Sequence, residues 1–152
     1  MILSASNPID PEQLAASPLF ARPLAIVDLE TTGADPTRDR ITEVAIVRIE
    51  SGRCVDSWSS LVDPEMPIPA RIQAFTHISN AMVAGAPNFR ALADEVAERL
   101  AGAIFVAHNA RFDFNFLRAA FAERGVRFDP PVLCTVKFSR ALAPHLPRHG
   151  LD

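Results

Sequence analysis

Leu24-Ala25-Ile26-Val27-Asp28-Leu29-Glu30-Thr31-Thr32-Gly33 is the stretch on which the fold turns. Its first four residues are a continuous apolar run, which suits a strand buried on both faces, ended by Asp28 and the turn-favouring Thr31-Thr32-Gly33. Residues two apart on an extended backbone project from the same face, so Asp28 and Glu30 set two carboxylates side by side at the strand end. Two like charges so placed call for a cation, and oxygen-only donors suit Mg2+ or Mn2+ better than zinc. Gly33 lets the backbone approach a ligand closely. From these residues alone, solvated strand-end carboxylates remain the alternative.

Working outward, Ile41 to Ile49 alternates apolar and polar groups, Ser51-Gly52 breaks the pattern, and Cys54 to Val62 is a second β-rich run. Strand, turn, strand predicts a hairpin. Pro69 can open a short helix holding Ile72 and Phe75. Phe89, Leu92, Val96 and Leu100 fall at helical spacing behind a possible Asn88 cap, and Gly102 ends that helix. A short apolar strand follows at 103–107, then a helix carrying Phe112, Phe116, Leu117 and Phe121 with Gly125 as its stop. Residues 132–134 read as a last strand and 135–142 as a short helix. Antiparallel strands first and αβ units after predict an α/β fold, a mixed sheet with helices on its faces and catalytic groups where strands end.

The chain has 152 residues, about half of them apolar, which allows one domain with one core. Residues 1–22 mix Pro, Ser and acidic groups around a possible turn of helix at Glu12 to Ala16, and are read as an extension before a domain at 23–152. The first nineteen residues hold no Lys or Arg and no unbroken apolar run, unlike a signal peptide, and no segment reaches the length of a membrane span. A soluble, cytoplasmic protein without a membrane partner is expected. Cys54 and Cys134 stand far apart and outside any Cys-x-x-Cys pair, so they are read as small core or strand residues. A formal net charge of −3 excludes a dominant basic surface for duplex DNA, so nucleic-acid contact must be local or metal-mediated. Lys137 is the single lysine.

A second polar cluster, His108-Asn109-Ala110-Arg111-Phe112-Asp113, closes the 103–107 strand and puts Asp113 in the first turn of the next helix. A carboxylate there can complete a metal site with Asp28 and Glu30, although an acidic residue near a helix N-terminus is also favourable without any function. Val27 to Gly33 resembles the first motif of the DEDDh, DnaQ-like 3'-to-5' exonucleases, among which are the proofreading subunits and domains of bacterial DNA polymerase III. Val106 to Asp113 resembles the second. Ile68-Pro69 through Ile78-Ser79 looks like the family's proline-led linker and Cys134-Thr135 like the strand end after the second motif. Two motifs in the right order are far more specific than one.

The resemblance implies a ribonuclease-H-like, mixed five-stranded sheet carrying two divalent ions, Mg2+ or Mn2+, that flank a scissile phosphate. It implies that Asp28 bridges both ions, Glu30 holds the nucleophile-side ion and Asp113 the other. Thr31, Thr32 and Gly33 would meet the terminal nucleotide, with Thr76, Asn109 and Phe112 as further substrate contacts. Phe112 is equally read as a core aromatic beside Phe116. His77 stands where the family often has glycine and is read as a surface or packing residue, and His108, like Asn109, as a hydrogen-bonding brace of the strand-to-helix turn.

The family's third motif, a histidine followed five residues later by an aspartate, supplies the general base and a fourth ligand. No such pair follows the last strand: the His108-to-Asp113 spacing belongs to the second motif, His145 has Gly150 five places on, and His149 with Asp152 is a poor replacement. The expectation is that the third motif lies beyond Asp152 and that this chain by itself is weakly active or inactive. The implied substrate is the single-stranded 3' end of DNA, with release of nucleoside monophosphates. A polymerase subunit or fused C-terminal domain is an implied partner. RNA trimming and a non-catalytic docking module are the competing readings.

Overall fold

The computed structural model describes residues 21–151. The possible helical turn at Glu12 to Ala16 therefore lies outside the described residues, as does Asp152. Five strands, β1 (Leu24–Thr31), β2 (Ile41–Glu50), β3 (Arg53–Leu61), β4 (Ile104–Ala107) and β5 (Val132–Cys134), form one sheet in the order β3-β2-β1-β4-β5. β1, β2 and β3 are antiparallel; β4 lies parallel to β1, and β5 parallel to β4. The hairpin turn is Ser51-Gly52, both at positive φ (49° and 72°), as a tight two-residue turn matched to strand twist requires.

Helices α1 (Ala70–Thr76), α2 (Asn80–Val83), α3 (Phe89–Leu100), α4 (Arg111–Ala122) and α5 (Thr135–Leu142) fill the connections. The Asn88 side chain caps α3 by accepting from the Ala91 N–H, as its place before the apolar stripe suggests. Helix α2 is too short to show a period in the sequence, but Ser79 caps it through the Met82 N–H. Apolar stripes of α3 (Leu92, Ala93, Val96, Leu100) and α4 (Phe116, Leu117, Phe121) pack on the sheet face bearing Ala25, Val27, Leu29, Val44, Ile46 and Phe105. Phe121 meets Phe89 edge-on at 5.3 Å and stacks on Phe128 at 5.2 Å, knitting the two helices together. Arg48, on the same sheet face, donates to the carbonyls of Arg99 and Ala101 and so satisfies the C-terminal end of α3.

Two expectations are corrected. β1 does not end at Asp28 but runs on to Thr31, because its antiparallel register with β2 holds from Leu24↔Ile49 to Thr31↔Ile41, with a bulge between Glu30 and Thr31. Nor is it buried on both faces: α3 and α4 cover one side, whereas Ile26 on the other is 43% exposed and Asp28 beside it is also exposed. The carboxylates thus project from within a central strand onto an open sheet face.

Candidate active site

Pairing between β1 and β4 is recorded only as far as Ile26↔Val106, so β1 outlasts its parallel neighbour and leaves a notch at the end of β4. In that notch the Leu29 N–H has no strand to bond. Asp113, in the first turn of α4, accepts it through Oδ1 at 3.2 Å. This bond, between residues 84 apart in sequence, fixes the second polar cluster against the first. Asp113 is 4% exposed. Burial, the largest cause, together with the nearby charges of Asp28 and Glu30, raises its pKa to about 7 against the opposing help of its own amide and that of Leu29. Glu30 is also raised, by burial first, then by Asp28 and by Glu43. Glu43 faces Glu30 directly across β1 and β2, a like-charge pair that destabilises a sheet unless a cation intervenes.

Asp28, Glu30 and Asp113 are therefore brought within reach of one another's charge. They do not form a ready-made cage: among the described residues, no three His, Cys, Asp or Glu side chains are grouped to hold a metal ion. Their chemistry nonetheless fits a hard divalent cation. All donors are carboxylate oxygens, and their mutual repulsion holds a buried carboxylate in a state that positive charge would relieve.

The segment after Glu30 is held tightly. Thr31 donates to the Gly33 carbonyl at 2.6 Å, and buried Thr32 exchanges hydrogen bonds with Arg40 across the loop, N–H to carbonyl at 2.8 Å and amide to hydroxyl at 3.0 Å. Gly33 has no room for a side chain, since a Cβ would run into the Asp39 carboxyl, which is itself bonded to the Asp35 amide. A cleft of about 360 Å3 opens behind this loop, lined by Arg40, Ile41, Val62, Phe89, Phe116 and Glu123 among others. None of the three carboxylates lines it, so it is not the seat of the chemistry.

The other substrate candidates sort by geometry. Phe112 is half-buried and packs on Phe116 with centroids 4.9 Å apart, the core role that its spacing allowed. Asn109 is exposed and takes a left-handed conformation (φ 61°) that turns the chain from β4 into α4. Thr76 donates to the Ile72 carbonyl and accepts from the Ile78 N–H, so its hydroxyl closes α1. His77, exposed at φ 62°, is the left-handed residue ending that helix, which explains why glycine suits the position.

His108 braces the turn as its place in the sequence suggested: its Nδ1 lies 2.9 Å from the Thr135 hydroxyl, which also contacts the Ala107 carbonyl at 3.4 Å. Cys134 adds to this grip. Burial pushes its thiol pKa up, but the amides of Lys137, Ala110, Val136 and Asn109 aimed at the sulfur outweigh burial and leave it below the ordinary thiol value. The β5–α5 junction thus clamps the turn that presents Asp113. Thr135→Val removes both hydroxyl contacts and is expected to cost about 1 kcal/mol in urea denaturation, with Thr135→Ser restoring it. The sequence had marked Cys134-Thr135 only as a strand end. Glu43 was missed altogether, though pairing β1 against the alternating β2 places it opposite Glu30.

The profile of the exonuclease family (RNase T type) matches residues 25–152, both polar clusters included. The chain belongs to the exonuclease family. A DNA polymerase III subunit epsilon-like protein of Rhodobacter capsulatus is 42% identical over 142 residues, covering 91% of this chain and 20% of that protein. The 3'-5' exonuclease DinG of Bacillus subtilis is 41% identical over 121 residues, covering 78% of this chain and 13% of that protein. The chain thus spans a fifth or less of the length of these relatives. Among solved structures, Exonuclease X in complex with 5' overhanging duplex DNA superposes with a TM-score of 0.65 at 32% identity, covering 84% of this chain and 68% of that one. The fold is the ribonuclease-H-like fold of such exonucleases, and the family generally uses divalent metal ions. Among the described residues, no helix is long and apolar enough to cross a membrane.

Proposed function

We propose that residues 23–152, preceded by an extension at 1–22, form a metal-dependent 3'-to-5' exonuclease domain. It acts on single-stranded 3' ends of DNA and releases nucleoside monophosphates. The observation that carries this reading is Asp113, drawn by the Leu29 amide to Asp28 and Glu30 and held partly protonated near neutral pH until positive charge arrives. A purely structural or docking domain has no use for that arrangement, because it costs stability.

Asp28, Glu30 and Asp113 would hold two Mg2+ or Mn2+ ions, which when bound activate a water and stabilise the leaving oxygen. Asp28, exposed in mid-strand, would be the carboxylate common to both ions, with Glu30 and Asp113 as the further ligands. The tight Thr31-Thr32-Gly33 backbone seats the terminal nucleotide, and Asn109, Phe112 and Thr76 border it. After the last strand, residues 135–152 hold no histidine followed five places on by aspartate; the one such spacing in the sequence, His108 to Asp113, is the second motif itself. The role assigned to this chain is therefore metal capture and substrate seating, with turnover about 10²- to 10⁴-fold below that of an exonuclease with a positioned base. DNA is preferred over RNA on the strength of the relatives, which also support a setting in the bacterial cytoplasm at the nucleoid, beside a polymerase subunit or within a longer protein.

Calorimetric titration with Mn2+ and incubation with matched 5'-labelled DNA and RNA oligonucleotides test the proposal. Saturable Mn2+ binding and slow, Mn2+-dependent shortening of DNA from its 3' end are expected. An absence of Mn2+ binding would favour the docking module, and faster shortening of RNA would reassign the substrate.

A further inference from the structure

The cations of this molecule differ in whether they are neutralised. Arg38, Arg40, Arg48, Arg99, Arg124 and Arg127 each pair with a carboxylate. Arg111, Lys137 and Arg140, all exposed, form no such pair among the described residues; six further arginines, Arg53 among them, form none either, so what sets these three apart is their place. From Pro130 to Leu151 the sequence has no Asp or Glu at all. In a chain of net charge −3, that is a local excess of positive charge with no internal counter-ion.

Its place in the fold gives it meaning. Lys137 and Arg140, three residues apart on α5, share a helix face. The Cys134 sulfur takes amides from both Ala110 and Lys137, so the start of α5 lies against the start of α4, where Arg111 stands two residues before Asp113. β5, which feeds α5, is two strands from β1, about 10 Å at the usual strand spacing. Phe138, 44% exposed, lies between Lys137 and Arg140 in the sequence. Exposed cations on one helix face, with an exposed aromatic ring about 100° round the helix from Lys137, are elements of a single-strand platform, the charges for phosphates and the ring for a base.

The geometry points to a single-stranded nucleic-acid track over the start of α5, with Arg111, Lys137 and Arg140 holding backbone phosphates and Phe138 stacking on a base. The polarity of the track rests on the exonuclease reading: with the 3'-terminal nucleotide at Asp28, Glu30 and Asp113, α5 receives the nucleotides on its 5' side. The track holds the strand for successive cuts, a task the carboxylates cannot perform because they repel phosphate.

Fluorescence anisotropy of the 152-residue chain with a labelled oligothymidylate, protected at its 3' end by phosphorothioate, tests this over a range of KCl concentrations with Mn2+ present. Lys137→Gln/Arg140→Gln is expected to reduce the slope of log affinity against log salt by about 1.4, at about 0.7 per lost phosphate contact, while Mn2+ titration is unchanged. Phe138→Ala is expected to weaken binding without altering the slope. Arg53→Gln, at an exposed cation on the far edge strand, is expected to change neither. An unchanged slope in the double variant, with the parent chain binding oligonucleotide and Mn2+ normally, overturns the track and leaves the exonuclease reading standing. A parent chain that binds neither overturns both. Binding to phosphatidylserine vesicles in place of the oligonucleotide overturns the track in favour of a membrane contact.

Discussion

Asp113→Asn stabilises the metal-free protein at pH 8 by about 2–4 kcal/mol and abolishes its Mn2+-dependent stabilisation. The Asp113 carboxyl, 4% exposed and beside two other carboxylates, holds its proton to about pH 7, against 3.8 ordinarily. Below about pH 4 it is protonated in the folded and unfolded chain alike, and no penalty exists. As pH rises from there to 7 the unfolded chain releases the proton and the fold does not, so stability falls, and above 7 the full cost is present. About three pKa units at 1.36 kcal/mol each set a ceiling of about 4 kcal/mol. Asparagine keeps an oxygen for the Leu29 amide and never ionises, so it escapes the penalty. Urea denaturation at pH 5 and pH 8, with and without Mn2+, checks this. The parent should weaken with pH unless Mn2+ is added, and the variant should respond to neither. Equal parental stability at both pH values, with a destabilised Asn variant, would show that Asp113 is a structural carboxylate already satisfied.

Asp28→Ala is expected to lower Mn2+-dependent shortening of a 3' end by about 10³-fold and to leave the melting temperature of the metal-free protein unchanged or raised. Asp28 is exposed, so its removal leaves no cavity, and it relieves repulsion on both Glu30 and Asp113. What it removes is a carboxylate that, in the proposed reading, would hold the ions, and a bound metal supplies several kcal/mol of transition-state stabilisation, each 1.36 kcal/mol being tenfold in rate. Single-turnover assays on a 5'-labelled oligonucleotide give the ratio. A ladder that survives Asp28→Ala at full strength sinks the exonuclease assignment for this site. Loss of the folded state in the variant would mean instead that the carboxylate is part of the scaffold.

These two residues also mark how far the sequence reaches. Local pattern identified all five strands, the hairpin and four of the five helices, because alternation, helical spacing, Asn88, Gly102 and Gly125 act over a few residues. It singled out Asp28, Glu30 and Asp113, since two motifs sit at successive apolar strand ends. It misplaced the end of β1, because only the register with β2 carries the chain past Asp28 in extended form. It overstated the burial of β1, because an apolar run does not reveal which sheet face the helices leave open. The bond between Leu29 and Asp113, the facing of Glu30 and Glu43, and the grip of Cys134 and Thr135 on the 108–110 turn were not legible locally. All three join residues on different elements.

The sequence by itself determined the five strands, four of the five helices and the family, and it singled out three candidate carboxylates, because each depends on short-range pattern or residue type. Only the tertiary structure decided that the three carboxylates lie within reach of one another's charge, that Asp113 is buried enough to titrate near pH 7, and that α5 starts against the turn that presents Asp113. Charge coupling and burial depend on distances between elements, and those are set by strand register and helix packing.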